Sequence, residues 1–189
     1  MTRRYPDTVT TAGRLLVATP ELLDPNFARS VVLIVEHQPF GAIGVILNRP
    51  DDRHVGDVLP AWEQRCAEPS MVFDGGPVER GGMLAVAANL IDDVVGWSSI
   101  CDGVSLVDLS GDPDQIPDDA GLVRIFSGYA GWGPDQLDLE IEEGAWWVVD
   151  VEPSDVSVGE PDGLWRVVVG RQGGRMALLR DHPDHPSLN

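Results

Sequence analysis

Ser30-Val31-Val32-Leu33-Ile34-Val35-Glu36 is followed by His37-Gln38-Pro39-Phe40-Gly41 and then by Ala42-Ile43-Gly44-Val45-Ile46-Leu47-Asn48. The first block is continuous and β-branched, the composition of a strand covered on both faces or nearly so. The middle block has the length and the Pro/Gly content of a turn, and the third block returns as a second strand. Together they predict a β-hairpin, which Asn48-Arg49-Pro50 ends. Before it, residues 14–18 read as a buried strand and residues 19–26, with Pro20 and Pro25, as a turn. After it, strands are expected over 71–73, 82–88, 104–107, 122–126, 145–150 and 164–169. A short helix is expected over 55–64, weakened by Pro60, and a better one over 134–143 with proline at its first position and Gly144 as cap. Residues 111–120 hold two prolines and at most one helical turn. Strands come in runs and do not alternate with helices. That predicts an α+β domain with a mixed, largely antiparallel sheet. No GxGxxG follows the first strand, which disfavours a dinucleotide fold.

The 189 residues suit one domain, here 13–180, with polar tails at 1–12 and 181–189 expected to be flexible. No apolar run reaches the ~20 residues of a membrane span. Arg3 and Arg4 precede no apolar block, so no secretory signal is expected and the cytoplasm is the expected compartment. The charge is lopsided: 13 basic residues, all arginine, against 31 acidic, net −18. Without lysine there is no Schiff-base lysine, P-loop lysine or Ser–Lys dyad. A chain of this charge repels a polyanion, which argues against a regulator that binds DNA directly. Cys66 and Cys101 form no short-spaced pair, so a zinc site or disulfide framework is not expected; both read as small buried filler. No metal and no cofactor is expected.

Catalytic motifs are sparse. There is no GxSxG elbow, and Ser127 reads as a small strand-end residue. Glu36-His37 sits beside the hairpin turn, where His37 is either a polar turn residue or, if the protein is an enzyme acting on a small anionic substrate, its acid/base. Asp74-Gly75-Gly76-Pro77 is a tight turn that could offer consecutive amides to an anion, with Arg49 as a planar donor fork beside it. Trp146 and Trp147 are neighbours on a strand and point to opposite faces. The helix at 134–143 carries Asp135, Asp138, Glu140, Glu142 and Glu143, read as a solvated acidic face or as a docking surface for a basic partner.

The most unusual run is Gly128-Tyr129-Ala130-Gly131-Trp132-Gly133-Pro134-Asp135-Gln136-Leu137, with three glycines and two aromatics where core strands carry aliphatics. With Glu140-Ile141 and Ala145-Trp146 after it, this run resembles the signature of the AlgH/YqgE family of small bacterial proteins. Three further segments resemble that family in the same order. They are residues 13–27 with their Asp-Pro-Asn-Phe turn; Val35-Glu36-His37, residues 41–44 and Asn48-Arg49-Pro50; and residues 72–78 with Gly75-Gly76-Pro77-Val78. The resemblance covers residues 13–150 and departs at 111–119 and in the C-terminal part. It implies an α+β domain of coiled, bifurcated β-sheets with flanking helices. It supplies no catalytic residue or cofactor, and the family's label of transcriptional regulator comes from a member linked to alginate production. The expectation is a non-enzymatic binding or regulatory module with a protein or small anionic ligand as partner. Asn48, Arg49, Gly75, Gly76, Tyr129 and Trp132 would line one surface if their three turns converge.

Overall fold

The hairpin forms as read. β2 (Val31–Gln38) and β3 (Gly41–Ile46) pair antiparallel from Val32↔Ile46 to Gln38↔Gly41, with an irregularity between Ile34 and Glu36. The computed structural model describes residues 10–181 and builds a ten-stranded, mostly antiparallel sheet around this pair. β1 (Arg14–Ala18) pairs with β2 on one side and β10 (Trp146–Asp150) on the other. On the far side of β3 the sheet reaches β9 (Gly121–Trp132), then β6 (Val78–Asn89), β8 (Val104–Val107) and β7 (Trp97–Cys101). β4 (Pro50–His54) pairs with β5 (Met71–Asp74), and β5 pairs in parallel with β9, the one parallel contact between named strands among the described residues.

β9 is where the sheet divides. One edge of the strand pairs with β6 from Gly121 to Tyr129. The other edge pairs first with β5, over Ile125–Ser127, and then with β3, over Ala130–Trp132. The chain leaving β5 must therefore cross tightly against β9 to become β6. A Cβ on Gly75 would sit 2.3 Å from the Gly128 carbonyl oxygen, and one on Gly76 2.3 Å from the Tyr129 carbonyl carbon. Gly76 and Gly128 also take φ of +146° and +71°, which side chains rarely tolerate. The Gly-Gly-Pro turn and the glycine-rich run are thus two halves of one backbone crossing.

Helices cover both faces. α1 (Val55–Val58), with the 3₁₀ stretch Pro60–Arg65 after it, closes the β5/β6/β9 layer through Val55 and Trp62. α2 (Gln136–Glu142) packs Leu137 on one face of the β1/β2/β3/β10 layer. α3 (Pro153–Val156), α4 (Leu164–Arg171) and α5 (Gly174–Leu178) lie on the opposite face. Among the described residues no helix is long and apolar enough to cross a membrane.

Several expectations change. Residues 164–169, read as a strand from their valines, are α4. Leu164, Trp165, Val168 and Val169 are buried while Arg166 and Val167 are exposed, which is helical spacing, and burial of that stripe overrides β-propensity. The 128–137 run is not a loop: its first half finishes β9. β4 and β7 were not foreseen, because β4 is a polar edge strand and β7 has only Trp97, Ile100 and Cys101 to suggest apolar character. The tails at 1–9 and 182–189 lie outside the described residues. Residues 10–12 do not behave as a tail, since Thr11 is buried and its hydroxyl lies 2.9 Å from His37 Nδ1.

Candidate functional site: two clefts at the sheet crossing

The crossing brings the three expected turns together in backbone and separates them in side chains. The Asp74 amide donates to the Arg49 carbonyl at 2.8 Å, the Ile46 amide to the Gly75 carbonyl at 3.0 Å, and the Gly75 amide to the Ser127 carbonyl at 2.9 Å. The Gly76 amide donates to Asp74 Oδ1 at 3.2 Å. Both glycine amides are therefore engaged within the fold, and the expected anion nest becomes a packing device. Asn48 is likewise a staple. Its Oδ1 accepts from the Val31 amide and its Nδ2 donates to the Arg29 carbonyl, both at 2.9 Å, continuing the β2–β3 pairing where β3 stops.

Trp132 is buried, only 6% exposed, and packs against Phe27 and Trp146 with ring centroids 6.1 Å away in each case. Its indole N–H and that of Trp146 both donate to Glu140 Oε2 at 2.9 Å, and Gln136 Nε2 donates to Oε1 of the same carboxylate. Glu140 is thus turned inward from the acidic face of α2 to clamp two tryptophans. Trp132 does not offer a free ring, which corrects the expectation of an exposed contact residue. Trp147, its strand neighbour's opposite number, packs against the other core face, as alternation requires.

At the crossing itself two clefts are open. The first, about 570 Å³, is lined by Asn48, Arg49, Asp74 and Ser127 from the crossing, by Asp51 and Arg53 of β4, and by Arg80 of β6. It adjoins a second hollow of about 370 Å³, sharing Asn48, Arg49 and Asp162 and adding Arg29 and Arg166. Arg49 is held by the Asn26 and Ala28 carbonyls, which accept from its Nη1 and Nη2. Partial burial lowers its pKa, while Asp74 and Asp24 act in the opposite direction. Arg80, 62% exposed, sits 3.7 Å from Asp74, and Arg53 is paired with Asp51. Arg29 lies over the Trp165 ring at 4.1 Å. Arg29, Arg49, Arg53, Arg80 and Arg166 thus share a wall with four aspartates, in a chain whose totals are 13 arginines and 31 acids. Arg29, Arg53, Arg80 and Arg166 were not read as site residues. Only the Arg80-Gly81-Gly82 run after the crossing hinted at one of them.

The other opening, about 320 Å³, lies beyond the crossing and is lined by Phe40, Ile43, Val78, Tyr129, Gly131 and the edge of Trp132, with Glu36 as its one charged residue. Tyr129 faces this cleft and Arg49 the first, so the six expected residues do not form one surface.

The nucleophile and acid/base candidates are occupied. The Ser127 hydroxyl is buried in mid-strand and donates to the Arg80 carbonyl at 2.6 Å. His37 receives the Thr11 amide at Nδ1 and stands at the far end of β2 from Asn48, roughly 20 Å along the strand. Burial pushes the Cys66 thiol up to about 12 and raises that of Cys101. Both are half-buried rather than fully enclosed as expected. The largest polar side chain that the sequence concealed is Arg124, 1% exposed within β9. It donates to the carbonyls of Glu68, Pro69, Val156 and Val158 and lies 4.3 Å over Phe73. Desolvation pulls it down to about 10, so it remains charged at neutral pH.

A family model described as AlgH-like (DUF179) matches residues 15–177, well beyond the segment that the motifs alone covered. A UPF0301 protein of Streptomyces coelicolor is 49% identical over 182 residues, 94% of each chain, and one of Thermobifida fusca is 42% identical over 195 residues, 97% of this chain and 98% of the other. Among solved structures, a crystal structure of a Corynebacterium diphtheriae protein superposes with a TM-score of 0.85 at 33% identity, over 94% of this chain and 93% of the other. The solution structure of AlgH from Pseudomonas aeruginosa matches with a TM-score of 0.66 at 24% identity, over 98% of this chain and all of that one, and shares the fold. The sheet crossing, its glycines and the matched length agree: this chain belongs to the AlgH-like UPF0301 family.

Proposed function

We propose that this protein is a cytoplasmic binding module that regulates through a small anionic ligand, held in the arginine-lined cleft beside the crossing. The observation that carries this reading is the gathering of Arg29, Arg49, Arg53, Arg80 and Arg166 around adjoining hollows in a chain of net charge −18. Arginine forks suit carboxylate and phosphate oxygens. Arg49 is pre-ordered by two carbonyls and Arg53 is held close by Asp51, while Arg80, 62% exposed, meets Asp74 only at 3.7 Å, a surface contact worth at most about 1 kcal/mol. An incoming anion can draw Arg80 away from that partner at little cost. Binding rather than catalysis is favoured by the engaged hydroxyl of Ser127, the raised thiols and the position of His37.

Calorimetric titration with inorganic pyrophosphate at fixed ionic strength tests the proposal. Saturable binding is expected, weakened about tenfold in Arg80→Ala, which removes an exposed side chain and leaves the fold intact. Absence of binding to the wild type, or affinity unchanged from wild type in both Arg80→Ala and Arg53→Ala, overturns it.

A further inference from the structure

The second cleft is built differently. Ile43 of β3 stands opposite Gly131 of β9. A Cβ at Gly131 would meet Tyr129 Cε2 at 3.3 Å and Val78 Cγ2 at 3.7 Å, so the missing side chain forms a floor between those two walls. The hairpin tip supplies the remaining wall, with Phe40 74% and Ile43 37% exposed. This is the β2/β3 face that α4 covers near β1 and leaves bare at the tip. Glu36, paired with Ile43 across the hairpin, is the cleft's one charge, and no arginine lines it.

We infer that this cleft docks a basic segment of a partner protein through an apolar or aromatic anchor residue set on the Gly131 floor. Shape and charge select this occupant. The floor is one side chain wide and walled by apolar groups, the geometry of an anchor pocket. Glu36 and the field of a chain at −18 draw a cationic segment inward and oppose both an acidic partner and a second copy of this chain. The surface is separate from the arginine cleft, so it stands or falls independently of the anion reading.

The test uses the full chain and a fluorescein-labelled twelve-residue peptide of lysine, leucine and phenylalanine, with a glutamate-for-lysine peptide as its counterpart, followed by anisotropy at about 150 mM salt. The lysine peptide is expected to bind and the glutamate peptide not to. Phe40→Ser and Ile43→Ser, both at exposed positions, are each expected to weaken binding about tenfold or more. Val95→Ser, which removes a still more exposed apolar side chain elsewhere, is expected to leave it unchanged. Equal binding by wild type and both hairpin variants would assign the attraction to net charge alone and overturn the inference. So would equal loss in Val95→Ser, or a sedimenting dimer that Phe40→Ser dissolves while the peptide fails to bind.

Discussion

The two halves of β9 solve one problem by opposite means. From Gly121 to Ser127 the strand is pinned by a cation: Arg124 gathers four carbonyls, two from the loop before β5 and two from the end of α3 and the residues after it. From Tyr129 to Trp132 it is pinned by an anion: Glu140 gathers two indoles. The clefts outside these anchors then differ in chemistry, arginine-rich on one side of the crossing and apolar on the other. The lesson is that residue type alone does not separate anchor from site. Arg124 is buried and structural, and Trp132, though it borders the apolar cleft, is packed and clamped by Glu140, whereas Arg80 reaches the other cleft with a largely exposed side chain.

The comparison breaks altogether if the crossing fails. Gly76→Ala places a methyl group 2.3–2.4 Å from the Tyr129–Ala130 backbone at a φ of +146°, and a loss of about 4 kcal/mol or more is expected, read as a collapse of the urea midpoint. A variant of unchanged midpoint would mean that the two halves of β9 are not held apart there. Removing the cationic anchor comes next. Arg124→Met strands four carbonyls, and a loss of about 3 kcal/mol is expected by the same measurement, with no effect on peptide binding at the hairpin tip. The anionic anchor has the smaller effect. Glu140→Gln keeps an acceptor but loses its charge, so about 1–2 kcal/mol is expected, together with a change in tryptophan emission that Arg124→Met does not produce.

The sequence made the hairpin legible because a continuous β-branched block, a turn and a return leave few other solutions. It made the glycine runs conspicuous but not their purpose. Gly75 and Gly76 read as a tight turn that could also offer amides to an anion, and the purpose of Gly128 stayed open; all three are backbone-approach glycines whose partner lies some fifty residues away in the chain. α4 was hidden because its valines favour strands and only the buried stripe reveals helical spacing. The arginine cleft was hidden because its members come from β4, β6 and α4, which no local pattern joins.

A last expected effect is confined to high pH and concerns Cys66, which lies beside Arg124 in the same layer. The thiol is raised from 9.0 to about 12, so the folded state holds its proton more tightly than the unfolded chain does. That contribution is fully present below pH 9 and is lost as pH rises toward 12. Arg124, lowered from 12.5 to about 10, contributes with the opposite sign above pH 10; the Cys66 thiolate holds it up, so removing the thiol lets Arg124 fall further and acts in the same direction as losing the thiol's own contribution. Cys66→Ala is therefore expected to lose less stability than wild type between pH 9 and pH 12, measured by urea unfolding at each pH. Parallel curves would show that the thiol ionises equally well in both states.

The pairing of β1 with β10 has a consequence for biosynthesis. Arg14 bonds to Val149, 135 residues further along. At about 5–20 residues per second, a ribosome makes the second strand roughly ten seconds after the first. Through that interval Leu15, Leu16 and Val17, fully enclosed at the end, belong to a strand with one unpaired edge. The nascent chain is therefore most exposed to misassembly before its last quarter emerges, and truncation ahead of residue 146 leaves that edge open permanently.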